Sequence, residues 1–409
     1  MEGKRFIRSL RLENFLSYGS EGEEIELQPL NVLIGANTSG KSNLIEAIGI
    51  LRATPTDLPA PFRQGGGISE FLWKGGQENP VAKIEATLNY PQRSQNHQRS
   101  QNQILRYYVN LTSIVQRLEL VDEAVENERP YPGSDDVYFY YRYQRGRPVL
   151  NINKLDDDFN IQRTRTLRRE DLIPDQSVLS QRKDPDLYPE LSYLSSAFSN
   201  IGLYRDWQMG RYSVPRNAQK PDLPEHPLLE DGSNLGLFLN NLKNKIGHRK
   251  IIDKLKKFYE AAEELGVIIS GGTVQITIRE EGFSQPIPAN RLSDGTLRYL
   301  FLMALLLDPT PPPLICIEEP EIGLHPDILP TIAEMLIEAS QRTQLIVTTH
   351  SDALVSALSE YPESVIVCER DKKGSHLHRQ EPERLEKWLK KYTLGDLWRM
   401  GQIGGNRWQ

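Results

Sequence analysis

Apolar and polar residues alternate from Phe6 to Phe15, the period of a half-buried strand, and Glu23–Leu27 and Leu30–Ile34 read as two further strands. The spacing turns helical over Lys41–Leu51, directly after a Gly-containing turn. Period-two stretches then return at Val81–Tyr90, Ile104–Leu120, Val137–Tyr143 and Pro148–Asn153, which predicts an antiparallel sheet, with the polar tract Gln92–Gln103 as a loop between two of its strands. Helical patterns occupy Leu187–Ile201, Asn234–Ile246 and Arg249–Leu265, and the Pro-rich segment Val214–Pro227 separates the first from the second. After alternation at Thr273–Arg279 comes an α/β series: helix Leu297–Leu307, strand Leu314–Ile317, helix Asp327–Ser340, strand Leu345–Thr348 and strand Val365–Cys368.

Strand, turn and helix order therefore points to an α/β nucleotide fold whose two halves lie at the two ends of the chain. The expected division is an N-terminal core part over 1–80, an antiparallel β-subdomain over 81–183, a helical lobe over 184–270, a C-terminal core part over 271–375 and a tail over 376–409. At 409 residues the chain is long enough for two or three domains, or for one large domain with insertions. With 25% charged and 38% apolar residues it is not a disordered chain. The balance of 49 Lys and Arg against 55 Asp and Glu, net −6, provides no global positive field for nucleic acid or anionic lipid. The opening Met1–Arg5 leads into alternation with no apolar targeting run, and the longest useful apolar stretch, Tyr299–Leu307, is far short of a membrane span. Neither export nor membrane insertion is expected. Cys316 and Cys368 each sit in a short β-branched run, where a buried reduced thiol is expected and a zinc site is not, and the location read from this is cytoplasmic.

Gly35-Ala36-Asn37-Thr38-Ser39-Gly40-Lys41-Ser42 fits G-x-x-x-x-G-K-[ST] and stands between an apolar strand and an apolar-faced helix, where the mechanism of that motif requires it. Its glycines let successive backbone N–H groups turn inward on phosphate oxygens, and the helix N-terminus adds partial positive charge. Lys41 would reach the β- and γ-phosphates of ATP, and the Ser42 hydroxyl would ligate Mg²⁺.

Leu314–Ile317 delivers Glu318 and Glu319 at the carboxyl end of a strand, where successive side chains point to opposite sides and can hold separate tasks. One acid can organise Mg²⁺ and the other can orient or deprotonate the attacking water. Acid pairs of this kind are also common as solvated turn residues, and it is the phosphate loop that favours chemistry. Ser293, in Leu292-Ser293-Asp294-Gly295-Thr296, stands at the N-cap position of an apolar helix, an arrangement that suits an anion or an ordinary cap. His350 closes the strand Leu345–Thr349 and can donate to a γ-phosphate oxygen, although such a histidine is also common as a surface residue.

Taken in order, Gly35–Ser42, Leu292–Thr296, Ile317–Pro320 and Thr349–Ser351 resemble the ABC-type P-loop ATPase heads of the RecF, SMC and OLD group. The opening Leu12–Tyr18 and Asn43 after the loop match that group's N-terminal strand and G-K-S-N form, and the likeness is clearest over 5–52 and 290–370. The resemblance implies an ABC-ATPase head with an antiparallel β-subdomain and an inserted helical lobe, acting as a Mg²⁺-dependent ATPase. It implies that Ser293 and Gly295 contact ATP held by a partner chain in a homodimer, that Glu318 takes the metal side, that Glu319 is the catalytic base and that His350 is the switch histidine. Glu318 stands where many such heads have Asp, and Asp294 replaces a glycine of the signature turn. Gln181, at the join to the helical lobe, is the candidate for the glutamine that senses Mg²⁺ and water, with Gln176 as competitor.

The client is open between DNA and a protein effector. Arg142, Arg145, Arg147, Lys154, Arg163, Arg165, Arg168 and Arg169, with Tyr138, Tyr140, Tyr141 and Tyr143 nearby, fit either phosphate contacts with stacking or a charged solvent face broken by Asp156–Asp158; the second is the expectation. A switch in DNA maintenance or defence, and a low-turnover ATP-binding subunit of a protein effector complex, are the two functions carried forward.

Overall fold

The computed structural model describes residues 2–76, 78–91, 102–131, 133–144, 147–156, 159–166, 172–205 and 210–405. Its central layer is a six-stranded sheet in the order Gly202–Tyr204, Leu314–Glu318, Gln344–Thr348, Leu30–Ile34, Val365–Arg370, Ser375–Arg379. The first five strands run parallel and the last is antiparallel. These strands read as apolar runs because both faces of the sheet are covered. Leu30, Val32, Ile34, Ile315, Ile317, Leu345 and Val347 join one core with the helices Asp294–Leu307 and Leu329–Ser340, whereas Leu33, Cys316, Ile346 and Cys368 join the opposite core. Each fully buried Leu, Ile or Val side chain contributes about 1.5–3 kcal/mol, so the sheet is a stiff platform for whatever leaves its carboxyl edge. Both cysteines are buried free thiols, and burial pushes each up to about 12.

The opposite core is closed by an eight-stranded antiparallel sheet, in the order Glu23–Glu26, Ile7–Glu13, Ala82–Pro91, Asn102–Ile114, Arg117–Asn127, Phe139–Gln144, Arg147–Asp156, Phe159–Thr166. Leu10, Leu12, Ile84, Ala86, Leu105 and Val109 face Leu44, Ile45, Ile48 and Leu51 of the helix Lys41–Ala53, which is thereby held between the two sheets. A three-stranded antiparallel sheet, Ala262–Ser270, Thr273–Glu280 and Ile287–Pro288, accompanies the helices Leu235–Ile246 and His248–Lys256.

Several elements differ from the expectation. The stretch Ile104–Leu120 is a hairpin, turned at Val115 and Gln116 with φ of 50° and 60°. The helix expected over Arg249–Leu265 ends at Lys256, and the chain continues as the strand Ala262–Ser270, which pairs with Thr273–Glu280. The strand Gly202–Tyr204 was not foreseen. The expected loop Gln92–Gln103 lies, up to residue 101, outside the described residues. Among the described residues no helix is long and apolar enough to cross a membrane.

Candidate functional site

Leu30–Ile34, Gln344–Thr348 and Leu314–Glu318 are adjacent parallel strands, with Leu33, Thr348 and Glu318 in register. Strands about 4.8 Å apart that end in register bring whatever follows them to one edge. Here those continuations are Gly35–Ser42, Thr349-His350 and Glu319-Pro320-Glu321.

The loop folds where it does because it has no room for side chains. A Cβ on Gly35, at φ +143°, would stand 2.2 Å from the Cys368 carbonyl oxygen, and one on Gly40, at φ +106°, would stand 2.4 Å from Ser375 Oγ. Thr38 also has positive φ, at 71°. Beneath the loop, the Tyr18 hydroxyl donates to the Gly40 carbonyl (3.0 Å), and Asn43 Nδ2 and Ser375 Oγ each donate to Ser17 Oγ (2.7 Å). Asn43, which follows the loop in the G-K-S-N form, thus braces it from below. Lys41 Nζ donates to the carbonyls of Gly35 (2.8 Å) and Ala36 (3.0 Å), which holds the ammonium inside the ring of the loop. Burial lowers its pKa, while Cys368, Glu319, Glu318 and Glu321 pull the other way. Ser39 Oγ is buried without a hydrogen-bond partner; Asn37, Thr38 and Ser42 are exposed.

Glu319 sits at φ 47°, a left-handed conformation that a non-glycine residue keeps only when its surroundings impose it. Its N–H donates to the Thr348 carbonyl (2.9 Å), and its carbonyl accepts from Arg298 (2.8 Å). The twist aims the carboxylate at His350, whose Nε2 lies 3.7 Å from Glu319 Oε1. Burial, and then Lys41, depress the His350 pKa against the pull of Glu319 and Glu321, which keeps the ring neutral at pH 7.

Arg298 and Glu321 were not foreseen as site residues. Arg298 is buried in the helix Asp294–Leu307, and burial pushes its pKa down to about 10. The signal was present, since an arginine inside the run Tyr299–Leu307 and its flanks has no reason to be there unless acids face it. Glu321 Oε1 accepts from Thr349 Oγ1 and from the His350 N–H (both 2.8 Å), fixing the histidine strand to the acid turn, and its Oε2 is buried without a hydrogen-bond partner.

The family described as "AAA domain, putative AbiEii toxin, Type IV TA system" matches residues 30–356, a span that includes the loop, the acids and His350. The chain belongs to this AAA-domain family. Two solved structures share its architecture: a SmcHead bound to the C-winged helix domain of ScpA (TM-score 0.56, 15% identity, 93% of this chain and 99% of that one) and an Smc head domain with an extended coiled coil, bound to the C-terminal domain of ScpA derived from Pyrococcus furiosus (TM-score 0.52, 14% identity, 94% and 99%). The fold of this AAA domain is thus that of an ABC-type P-loop ATPase head. No curated protein matches the chain.

The candidate glutamine of the AAA domain and its competitor bond residues away from this edge of the sheet. Gln181 Oε1 accepts from the Ile173 N–H (2.7 Å) and its Nε2 donates to the Gln176 carbonyl (2.9 Å). Its competitor Gln176 bonds Leu58 and Asp57, past the far end of the helix Lys41–Ala53, about 20 Å of helix from the loop. Neither glutamine therefore serves the phosphate loop. Ser293 caps its helix, accepting from the Thr296 N–H (3.0 Å), and is exposed; a Cβ on Gly295 would stand 2.9 Å from the Gly323 carbonyl, beyond the acid turn. Asp294 is held by the buried Arg216, which also donates to the Leu292 carbonyl. The turn Leu292–Thr296 thus leaves Ser293 and Asp294 exposed.

The residues fit a Mg²⁺-nucleotide. The loop leaves space only where side chains are missing, and Ser39 Oγ and Glu321 Oε2 are buried polar atoms awaiting partners. Among the described residues no group of three His, Cys, Asp or Glu could hold a metal by itself.

Of the basic and aromatic cluster in the antiparallel sheet, several described members are already engaged. Arg142 pairs with Glu126 (2.9 Å) and lies over Phe139, Arg106 pairs with the same carboxylate, and Tyr140, Tyr141 and Tyr143 are buried. Arg147 is exposed; Arg145, Arg168 and Arg169, and the side chains of Lys154, Arg163 and Arg165, lie outside the described residues.

Proposed function

We propose that the chain is a Mg²⁺-dependent ATPase that works as an ATP-sandwich dimer switch. The observation that carries this reading is the meeting of Gly35–Ser42, Glu318, Glu319 and His350 at the carboxyl edge of three adjacent parallel strands in register. Lys41 exchanges the carbonyls of Gly35 and Ala36 for β- and γ-phosphate oxygens, and the loop N–H groups receive the remaining phosphate charge. Ser42 and Glu318 would hold Mg²⁺, which supplies charge neutralisation on the phosphates when bound. Glu319 accepts the proton of the attacking water, and neutral His350 donates its N–H to a γ-phosphate oxygen. Ser293 and Gly295, outward-facing at a helix N-terminus, complete the site of a second copy of the chain. The free buried thiols support a cytoplasmic setting.

For the client, a protein effector is the better supported reading. Arg106 and Arg142 are paired with Glu126 and Tyr140, Tyr141 and Tyr143 are buried, so these residues offer DNA neither a free cation nor a stacking face. A role in DNA maintenance or defence then runs through that protein. In the low-turnover form of this reading, ATP is bound tightly and phosphate is released only when the effector is added.

Phosphate release and light scattering with Mg-ATP test both levels. Wild type should release phosphate, and Glu319→Gln should bind ATP and dimerise. A Glu319→Gln monomer at saturating Mg-ATP would remove the sandwich, and absence of nucleotide binding would remove the ATPase reading altogether.

A further inference from the structure

The C-terminal segment runs along the back of the site just described, and no step of the proposed chemistry uses it. Its helix Leu394–Arg399 is capped by Thr393 and Asp396 and buries Leu394, Leu397 and Trp398. It lies against the short helix Asp352–Ser356, which begins two residues after His350. The approach is close: a Cβ on Gly395 would stand 2.2 Å from the Asp352 carbonyl oxygen, Arg399 pairs with Asp352 (3.2 Å), and the Leu394 N–H donates to Ser359 Oγ (2.8 Å). The chain then bends through Gly401, φ 72°, buries Ile403, and reaches Gly404 and Gly405 at φ 81° and 76°. There the Gly405 N–H donates to Glu369 Oε1 (2.9 Å). A Cβ on Gly405 would stand 3.3 Å from Gly35 Cα and 2.9 Å from Val367 Cγ1.

Gly35 is therefore enclosed on two sides, by the Cys368 carbonyl and by the tail at Gly405. We infer that residues 394–405 form a strap that holds Gly35 in its nucleotide-binding conformation, with Glu369 and Gly405 as positioning residues. The inference rests on the reading of Gly35–Ser42 as a phosphate site. Both of its ends are fixed independently of the loop, one by the helix Asp352–Ser356 and the other by the strand Val365–Arg370. A loop at φ +143° that accepts phosphate through its backbone needs such support, because Lys41, the loop side chain that bonds the Gly35 carbonyl, leaves it for phosphate when nucleotide binds.

The test is equilibrium binding of methylanthraniloyl-ATP to the full chain, with melting of the unliganded protein measured in parallel. Glu369→Ala removes the acceptor of the Gly405 N–H and should weaken binding about three- to tenfold, the value of one hydrogen bond. Gly405→Val, which forces a branched side chain against Gly35 Cα, should weaken it at least as much. Glu369→Gln keeps an acceptor oxygen and should bind within about twofold of wild type. In turnover the Ala variant should raise KM while kcat holds. Wild-type affinity in Glu369→Ala, or an equal loss in Glu369→Gln, overturns the strap; a wild type that binds no nucleotide overturns the reading of the site instead.

Discussion

His350 Nε2 stands 3.7 Å from Glu319 Oε1, each side chain reaching across from the end of neighbouring parallel strands. The separation is longer than a hydrogen bond, and neither group is consumed by the other. Both are held from behind: Glu319 through the Thr348 carbonyl and Arg298, His350 through Glu321. The pair is poised over the loop, and its energetic investment is a left-handed glutamate, of order 1–3 kcal/mol.

Glu319→Gln should lower kcat about 10²–10⁴-fold, the range for loss of a positioned general base, while ATP affinity changes little. His350→Ala should lose about 10–100-fold, the value of a hydrogen bond to a charged oxygen. Because the His350 pKa is depressed, the ring stays neutral as pH falls below 7, so kcat should hold to lower pH than an ordinary imidazole would allow and fall only with further acid. Single-turnover phosphate release against pH measures this; a rise in rate on protonation near pH 6 would show that the imidazolium is the working form.

Gly35→Ala and Gly40→Ala should each abolish nucleotide binding while leaving the fold in place. The added methyl groups meet the Cys368 carbonyl and Ser375 Oγ, and the left-handed φ values penalise any Cβ. Circular dichroism should remain native-like while calorimetric titration with ATP shows no heat. Retained binding in Gly35→Ala would mean that the loop does not close on phosphate.

Arg216→Ala should separate nucleotide binding from dimerisation. Arg216 is buried between the Leu292 carbonyl and the exposed Asp294, and its removal leaves the buried carbonyl unmet at a cost of about 1–3 kcal/mol and frees the acid to solvent. In a Glu319→Gln background, ATP binding per chain should persist while the light-scattering dimer weakens at least tenfold. An undiminished dimer would mean that the signature turn lies outside the contact.

The phosphate loop was legible in the sequence because its requirement is local: two glycines, a lysine and a helix start, all within eight residues. Glu318, Glu319 and His350 were legible as strand ends, since a parallel sheet gathers such ends at one edge. Arg298, Glu321, Ser17 and Ser375 were not, because their roles depend on how separate elements meet in the fold, Ser17 and Ser375 across 358 residues of chain. The strand Gly202–Tyr204 has three residues, too few to show a period, yet it sets the edge beside the acids. The turn at Val115–Gln116 lacks the glycine or asparagine that usually marks one. Lys256 and Glu263 favour helix, and only pairing with Thr273–Glu280 makes the segment after Ala262 a strand. Gln181 was misplaced for the same reason: proximity in sequence to the lobe does not fix which end of the helix Lys41–Ala53 it meets.

Glu123 should make stability depend on pH. Its carboxylate is fully buried between Tyr107, Ser177 and the Val178 N–H, at the junction of the antiparallel sheet with the helix Val178–Gln181, and burial raises its pKa to about 7. The folded state therefore holds a proton that the unfolded chain, with an ordinary value of 4.5, releases. Stability from this group is complete below pH 4.5 and is lost as pH rises through about 7, a change on the order of 3 kcal/mol across that window. Glu123→Gln keeps a neutral amide in place and should flatten that slope. Urea midpoints at pH 5, 6, 7 and 8 for the two proteins give the comparison: a wild-type decline that the variant shares in full would assign the dependence to other groups.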